Sequence, residues 1–226
     1  MIEGAIGAGK SVLSEVLKDR AEREGIKTLL IPEPVSEWVG TGILKEFYKD
    51  PKRWAYSMQT MAFSSRCNKI NKMVEENPGA ELVIIERSPA SDQIFMYLLK
   101  KDFTETERAM YSSWITLFNK YLSISLNDAT AVYLRTDLAS CMTRLKARGR
   151  AGEDGAEMEA YQQSLIDIHN AFLIGPVDEQ KYEDLPRCPY KEILHVGEEF
   201  AALNFRDNED AKEKITTYIL DKCGLL

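Results

Sequence analysis

An α/β fold, with a parallel sheet covered by helices on both faces, is what this sequence predicts. Three observations carry it. The first is Gly4, four residues, then Gly9-Lys10-Ser11, a phosphate-gripping loop that normally joins a strand to a helix. The second is the alternation of short, continuous apolar runs with long helical stretches, the pattern of strands buried on both faces. The third is that those runs end in charged residues: Glu33, then Glu86 and Arg87, then Arg135 and Asp137. In open parallel sheets ligands bind beyond the carboxyl ends of the strands.

Taken in order, residues 1–3 form a very short first strand. Gly4, Gly7 and Gly9 let the backbone bend and turn N–H groups inward. A helix over 11–23 adds the positive end of its dipole. Lys10 reaches toward β/γ-phosphates and Ser11 toward Mg²⁺. Strands are expected at 28–31, ended by Pro32-Glu33-Pro34, at 82–85, at 131–134 and around 202–205, giving five with the first. Helices are expected at about 52–76, 91–100, 105–122, 137–149, 156–173 and 209–222. No repeat or linker divides the chain, so one domain over 1–226 is expected.

Composition narrows the partners. The 226 residues are 44% hydrophobic and 29% charged, and the net charge of −7 disfavours grip on a nucleic-acid backbone. No apolar run reaches membrane-spanning length, and residues 1–20 lack a signal-peptide pattern. Cys67, Cys141, Cys188 and Cys223 form no CxxC pair, which suits reduced thiols in the cytoplasm. His169 and His195 are too few and too distant for a metal site, and they read as surface or helix-packing residues.

The candidate chemistry follows from the strand ends. Glu33, held stiffly between two prolines, can take a proton from an attacking hydroxyl; a lone glutamate is otherwise a cap or a solvated side chain. Glu86 suits a magnesium carboxylate and Arg87 an acceptor oxygen or phosphate, against the plainer reading of a surface ion pair. Arg144, Lys146, Arg148 and Arg150 lie on a helix that breaks at Gly149 and Gly152, a candidate lid over about 144–156. A basic helix end complementing its own dipole is the simpler alternative.

These residues resemble the deoxyribonucleoside kinases of the deoxycytidine/deoxyguanosine kinase type. The likeness runs nearly end to end through "IEGAIGAGKS", "PEPVSEW", "YKDPKRWAYSMQTMAFSSR", "ERSPASDQIF", "YLRTD" and "RLKARGRAGEDG". It implies a P-loop kinase fold with a five-stranded parallel sheet and a helical arginine lid. ATP or another triphosphate would be the phosphate donor, with Mg²⁺. The resemblance makes Glu33 the general base at the 5′-hydroxyl, Arg87 a contact to that hydroxyl, and Glu86 with Ser11 the magnesium side. Tyr48 and Glu153 would hold the sugar 3′-hydroxyl, and Gln59 would read the base edge. Trp38, Leu44, Met58 and Phe95 would wall the base pocket. Arg144, Arg148 and Arg150 would be the lid arginines, with Arg148 also on the donor phosphates. "FRDNED" is similar to the loop that touches the donor's base.

Ala62, Arg66 and Asp92 match the trio of relatives that take deoxycytidine or deoxypurine nucleosides. The resemblance therefore favours deoxycytidine, deoxyadenosine or deoxyguanosine over thymidine. It also implies a homodimer joined through helices at about 53–76 and 105–122, with Trp54, Met58, Met61, Trp114 and Leu117 as candidate contacts. The first strand is several residues shorter than the family pattern, which is expected to cost ladder hydrogen bonds and loop rigidity. Two alternatives stand beside this reading: a nucleoside-monophosphate kinase, which shares the loop and an arginine lid, and an inactive kinase-like structural subunit.

Overall fold

The apolar runs become strands that pair only in parallel. The computed structural model describes residues 1–150, 153, 157–197 and 208–226. Its strands are β1 (Ile2–Glu3), β2 (Thr28–Ile31), β3 (Leu82–Ile85), β4 (Thr130–Leu134) and β5 (Glu192–Val196). The expected single five-stranded sheet is corrected: among the described residues there are two ladders, β1-β4-β5 and β2-β3. Between them run one parallel bridge, Ile2 to Glu86, and the Arg87 N–H donating to the Ile2 carbonyl at 3.1 Å. The cause is the length of β1. Its two residues pair with Val132 and Tyr133 of β4, and on the other edge only Ile2 makes a bridge, to Glu86 just past β3.

The strand expected around 202–205 lies outside the described residues. β5 was not anticipated. "EILHV" buries Leu194 and Val196 while Glu192 and His195 are exposed, the alternation of a half-covered strand rather than a continuous apolar run.

Local chemistry sets the helix boundaries. α1 (Lys10–Arg23) starts directly from the glycine loop. α4 (Pro51–Glu76) has Asp50 accepting from the Arg53 N–H at 3.1 Å and Pro51 at its first position. α5 (Pro89–Leu98) carries a reciprocal cap between Ser88 and Ser91, and α6 (Glu105–Tyr121) one between Thr104 and Glu107. α7 (Leu138–Arg148) is capped by Asp137 and ends at Gly149, whose φ of 62° is left-handed. α8 (Met158–Leu173) and α9 (Glu209–Lys222) complete the set. Two short helices escaped the sequence reading: α2 (Val35–Gly40) and α3 (Ile43–Lys49).

Helices cover both faces. Successive strand residues point to opposite sides, and Ile84 packs with Leu13 and Leu17 of α1 while its neighbour Ile85 packs with Ile70 of α4. A second small core, away from the strands, joins Trp38 of α2, Leu44 and Phe47 of α3, and Met58, Ala62 and Phe63 of α4. It makes a helical wall facing the strand ends.

The helix contacts expected at a dimer divide. Met110, Trp114, Leu117 and Tyr121 form an exposed apolar stripe on α6, whereas Met58 is buried and turned inward, so it does not belong with them. Trp54 and Met61 are half-buried. Among the described residues no helix is long and apolar enough to cross a membrane, and all four cysteines are free thiols.

Candidate active site

The loop between β1 and α1 closes tightly because two glycines permit it. A Cβ on Gly4 would sit 2.8 Å from the Leu134 carbonyl oxygen, and one on Gly7 (φ 78°) would sit 2.8 Å from the Cys141 carbonyl oxygen and overlap the Leu145 side chain. Several groups hold the loop: Thr136 Oγ1 donates to the Ala8 carbonyl at 3.0 Å, Arg144 donates to the same oxygen at 2.8 Å, and the Gln162 amide donates to the Ile6 carbonyl. Lys10 is buried and donates to the Ala5 and Gly4 carbonyls at 2.8 and 3.2 Å. Burial, then the nearby Arg87 charge, pulls its ammonium down to about 8 against the attraction of Glu86 and Glu33.

Ser11 and Glu86, 75 positions apart, meet at 2.7 Å, the hydroxyl donating to the carboxylate. Two protein oxygens beside a phosphate cradle fit Mg²⁺, which keeps several waters and takes few protein ligands. Among the described residues no cluster of three or more His, Cys, Asp or Glu side chains could hold a metal, and a magnesium shared with phosphates does not need one.

Beyond β3 the chain turns sharply. Arg87 has φ 60°, a left-handed conformation that is uncommon for a side chain of this size. Its buried guanidinium places Nε 3.4 Å from Glu33 Oε1, lies 4.8 Å over the Phe95 ring, and brings Nη1 3.4 Å from His169 Nε2. Arg66 of α4 donates to the same Glu33 oxygen at 2.6 Å and pairs through Nη1 with Asp92. Burial works to raise the Glu33 carboxyl, but Arg87, Arg66 and Lys10 outweigh it and hold it below the usual carboxylate range. Among the described residues both contacts fall on Oε1.

Asp92 is buried and only one of its oxygens is partnered; burial pushes its carboxyl up to about 6 despite Arg66. Among the described residues the Gln59 carbonyl oxygen and Arg66 Nε, like the second Asp92 oxygen, are buried without hydrogen-bond partners. Unsatisfied buried polar atoms are costly, and the three residues that carry them all line the cleft. Trp38 Nε1 donates to Ser65 at 2.9 Å, and Arg66 lies 5.6 Å over its ring, so the aromatic wall is fixed.

On the opposite rim Glu153, itself buried, accepts from Arg148 at 2.6 Å, from Arg150 at 3.3 Å and from Tyr48 at 3.4 Å. The rest of the expected lid, residues 151–152 and 154–156, lies outside the described residues, as do residues 205–207 of "FRDNED".

One cleft of about 800 Å³ gathers these groups. It is lined by Gly7, Gly9, Lys10, Ser11, Glu33, Trp38, Leu44, Tyr48, Met58, Gln59, Ala62, Arg66, Glu86, Arg87, Asp92, Phe95, Arg144, Arg148, Arg150 and Glu153. Gly4 stands behind the loop. Two of the strand-end charges do not join them: Arg135 is exposed, and Asp137 caps α7, accepting from the Ser140 N–H at 2.8 Å. The sequence reading passed over Ile6, Val35, Phe47 and Tyr161, which also line the cleft. Their only signal is apolar character at helix and loop positions, indistinguishable in sequence from core.

The family model for deoxynucleoside kinases matches residues 1–223, and the chain belongs to that family. It is 31% identical to the probable deoxycytidine kinase of fowlpox virus (strain NVSL), over 97% of this chain and 86% of the viral protein. It is 32% identical to deoxycytidine kinase 2 of Gallus gallus, over 88% and 82% of the two chains. The mitochondrial deoxyguanosine kinase of Xenopus laevis is 27% identical, over 88% and 81%. The chain is an enzyme that phosphorylates deoxynucleosides, a nucleotide-salvage reaction with ATP as phosphate donor.

Proposed function

We propose that the chain, acting as one kinase domain over 1–226, moves the γ-phosphoryl group of ATP to the 5′-hydroxyl of deoxycytidine, deoxyadenosine or deoxyguanosine in preference to thymidine. The observation that carries this is the placement of Glu33 in the cleft between Arg87, beside the phosphate loop, and the Arg66–Asp92 pair on the base side. A deoxynucleoside lying along that line would meet Gln59, Arg66 and Asp92 with its base edge and Tyr48 and Glu153 with its 3′-hydroxyl. Its 5′-hydroxyl would then reach Glu33. The carboxylate takes the hydroxyl proton as the 5′-oxygen bonds to the γ-phosphorus and the bond to the β-phosphate oxygen breaks, releasing ADP.

Lys10 and the loop N–H groups hold the donor phosphates, and Arg144, Arg148 and Arg150 face the charge that builds on the transferred group. Ser11 and Glu86 would hold Mg²⁺, which when bound neutralises charge on the β- and γ-oxygens. The exposed apolar stripe on α6 supports a homodimer. The four free thiols favour a cytoplasmic setting, and the net charge of −7 argues against a nucleic-acid partner.

The test is a coupled assay of the purified chain with Mg·ATP against four deoxynucleosides and against deoxycytidylate and thymidylate. Turnover of deoxycytidine, deoxyadenosine or deoxyguanosine above thymidine, with none of the monophosphates, is expected. Preference for a monophosphate would assign the cleft to a nucleoside-monophosphate kinase, and no turnover of any acceptor would favour the inactive subunit.

A further inference from the structure

His169 is a fully buried imidazole on α8 to which the mechanism above gives no task. Its Nδ1 lies 2.7 Å from the Leu165 carbonyl oxygen. A carbonyl can only accept, so Nδ1 carries the hydrogen and Nε2 keeps a bare lone pair. That lone pair faces Arg87 Nη1 at 3.4 Å, and a guanidinium can only donate. Burial and the Arg87 charge keep the ring neutral. Two rings flank it: it stacks on Tyr133 (centroids 6.2 Å apart, 14° between planes) and meets the Phe95 ring edge-on at 6.3 Å. Tyr133 is itself anchored, its hydroxyl donating to Asn170 at 2.8 Å.

Arg87 needs such support. A non-glycine residue at φ 60° holds a strained backbone, so its side chain is not placed by a relaxed backbone. Nε faces Glu33, the Phe95 ring supports one face of the guanidinium, and Nη1 meets His169. We propose that His169 is a positioning residue: by accepting from Arg87 Nη1 it aims the remaining guanidinium N–H groups at the acceptor oxygen in the cleft. This rests on the reading of Arg87 as the contact to the 5′-hydroxyl.

Two measurements test it. In the wild-type protein, ¹⁵N NMR of the histidine rings, assigned by elimination with His195→Gln at an exposed position, is expected to show His169 as the neutral Nδ1–H form. A hydrogen on Nε2 would overturn the proposal, because that atom could then accept nothing. In steady-state kinetics, His169→Phe is expected to lower kcat about 10- to 100-fold, the scale of a misplaced reacting group, with KM for deoxycytidine changed less than about 3-fold. His169→Gln, which returns an acceptor oxygen near the Nε2 position, is expected to recover most of that loss. In an Arg87→Lys background the His169→Phe change is expected to cost little more, since coupled residues are not additive. Full additivity, or no rescue by glutamine, would sink the positioning role alone. An Arg87→Lys variant with intact kcat would instead overturn the assignment of Arg87, and this inference with it.

Discussion

Arg66 donates to Glu33 at 2.6 Å and, through its other terminal nitrogen, to Asp92, so one guanidinium ties the proposed general base to the wall proposed to read the nucleobase. In the proposed substrate pose the pair would crowd a thymine methyl group. Replacing both partners avoids leaving one buried charge alone, which typically costs about 3–5 kcal/mol. The double variant Arg66→Met, Asp92→Ala is therefore expected to raise kcat/KM for thymidine and lower it for deoxycytidine. Steady-state kinetics on both nucleosides checks this, and no gain with thymidine would remove Arg66 and Asp92 as the discriminating pair.

Gly7 has no room for a side chain. Gly7→Ala meets both the Cys141 carbonyl oxygen and the Leu145 side chain too closely and also holds alanine at φ 78°. The expected cost is about 1–3 kcal/mol from the backbone conformation alone, seen as a lower Tm together with weaker ATP binding. Gly79→Ala, with open space around it, is expected to change stability by less than about 0.5 kcal/mol.

The pH dependence follows from two shifted groups. Glu33 is held below the ordinary carboxylate range, so it is ionised throughout the neutral region. The stability it contributes is present above the unfolded value near 4.3 and is lost as pH falls through its lower folded value. Lys10 is pulled down to about 8; its charge is present below that pH and fades above it. The cost of burying that charge is carried below about 8 and is relieved between there and the unfolded value near 10.4. Accordingly, kcat/KM for ATP is expected to fall as pH rises past about 8. Lys10→Arg should abolish that limb, because a guanidinium stays charged. An unchanged alkaline limb in Lys10→Arg would assign it to another group.

Much of this was legible in the sequence, for identifiable reasons. The strands at 28–31 and 82–85 were found to the residue because they are apolar, β-branched and bounded by turns. The loop glycines announce themselves by spacing, and Glu33 by its two prolines. What could not be read depends on tertiary placement. β5 is an alternating strand that resembles loop sequence, and the division into two ladders follows from how few residues β1 offers each neighbour. α2 and α3 are six and seven residues long and bounded by Pro34, Gly40 and Gly42, too short for a periodic signal. Asp137 looked like a site residue because strand-end charge alone does not distinguish a ligand contact from a helix cap. In sequence His169 reads as a surface or helix-packing residue; it is buried on the inner side of α8, and that its Nε2 faces Arg87 is visible only in three dimensions.

The most direct test is rapid-quench measurement of phosphoryl transfer from Mg·ATP to deoxycytidine in a single turnover, comparing the wild-type chain with Glu33→Gln. The amide keeps the size of the side chain and an oxygen for Arg66 and Arg87 but cannot take a proton. The transfer step is expected to slow by about 10²- to 10⁴-fold, with the Kd for deoxycytidine within about 3-fold of wild type. A transfer rate close to wild type with deoxycytidine bound would contradict the assignment of Glu33 and the line of attack built on it.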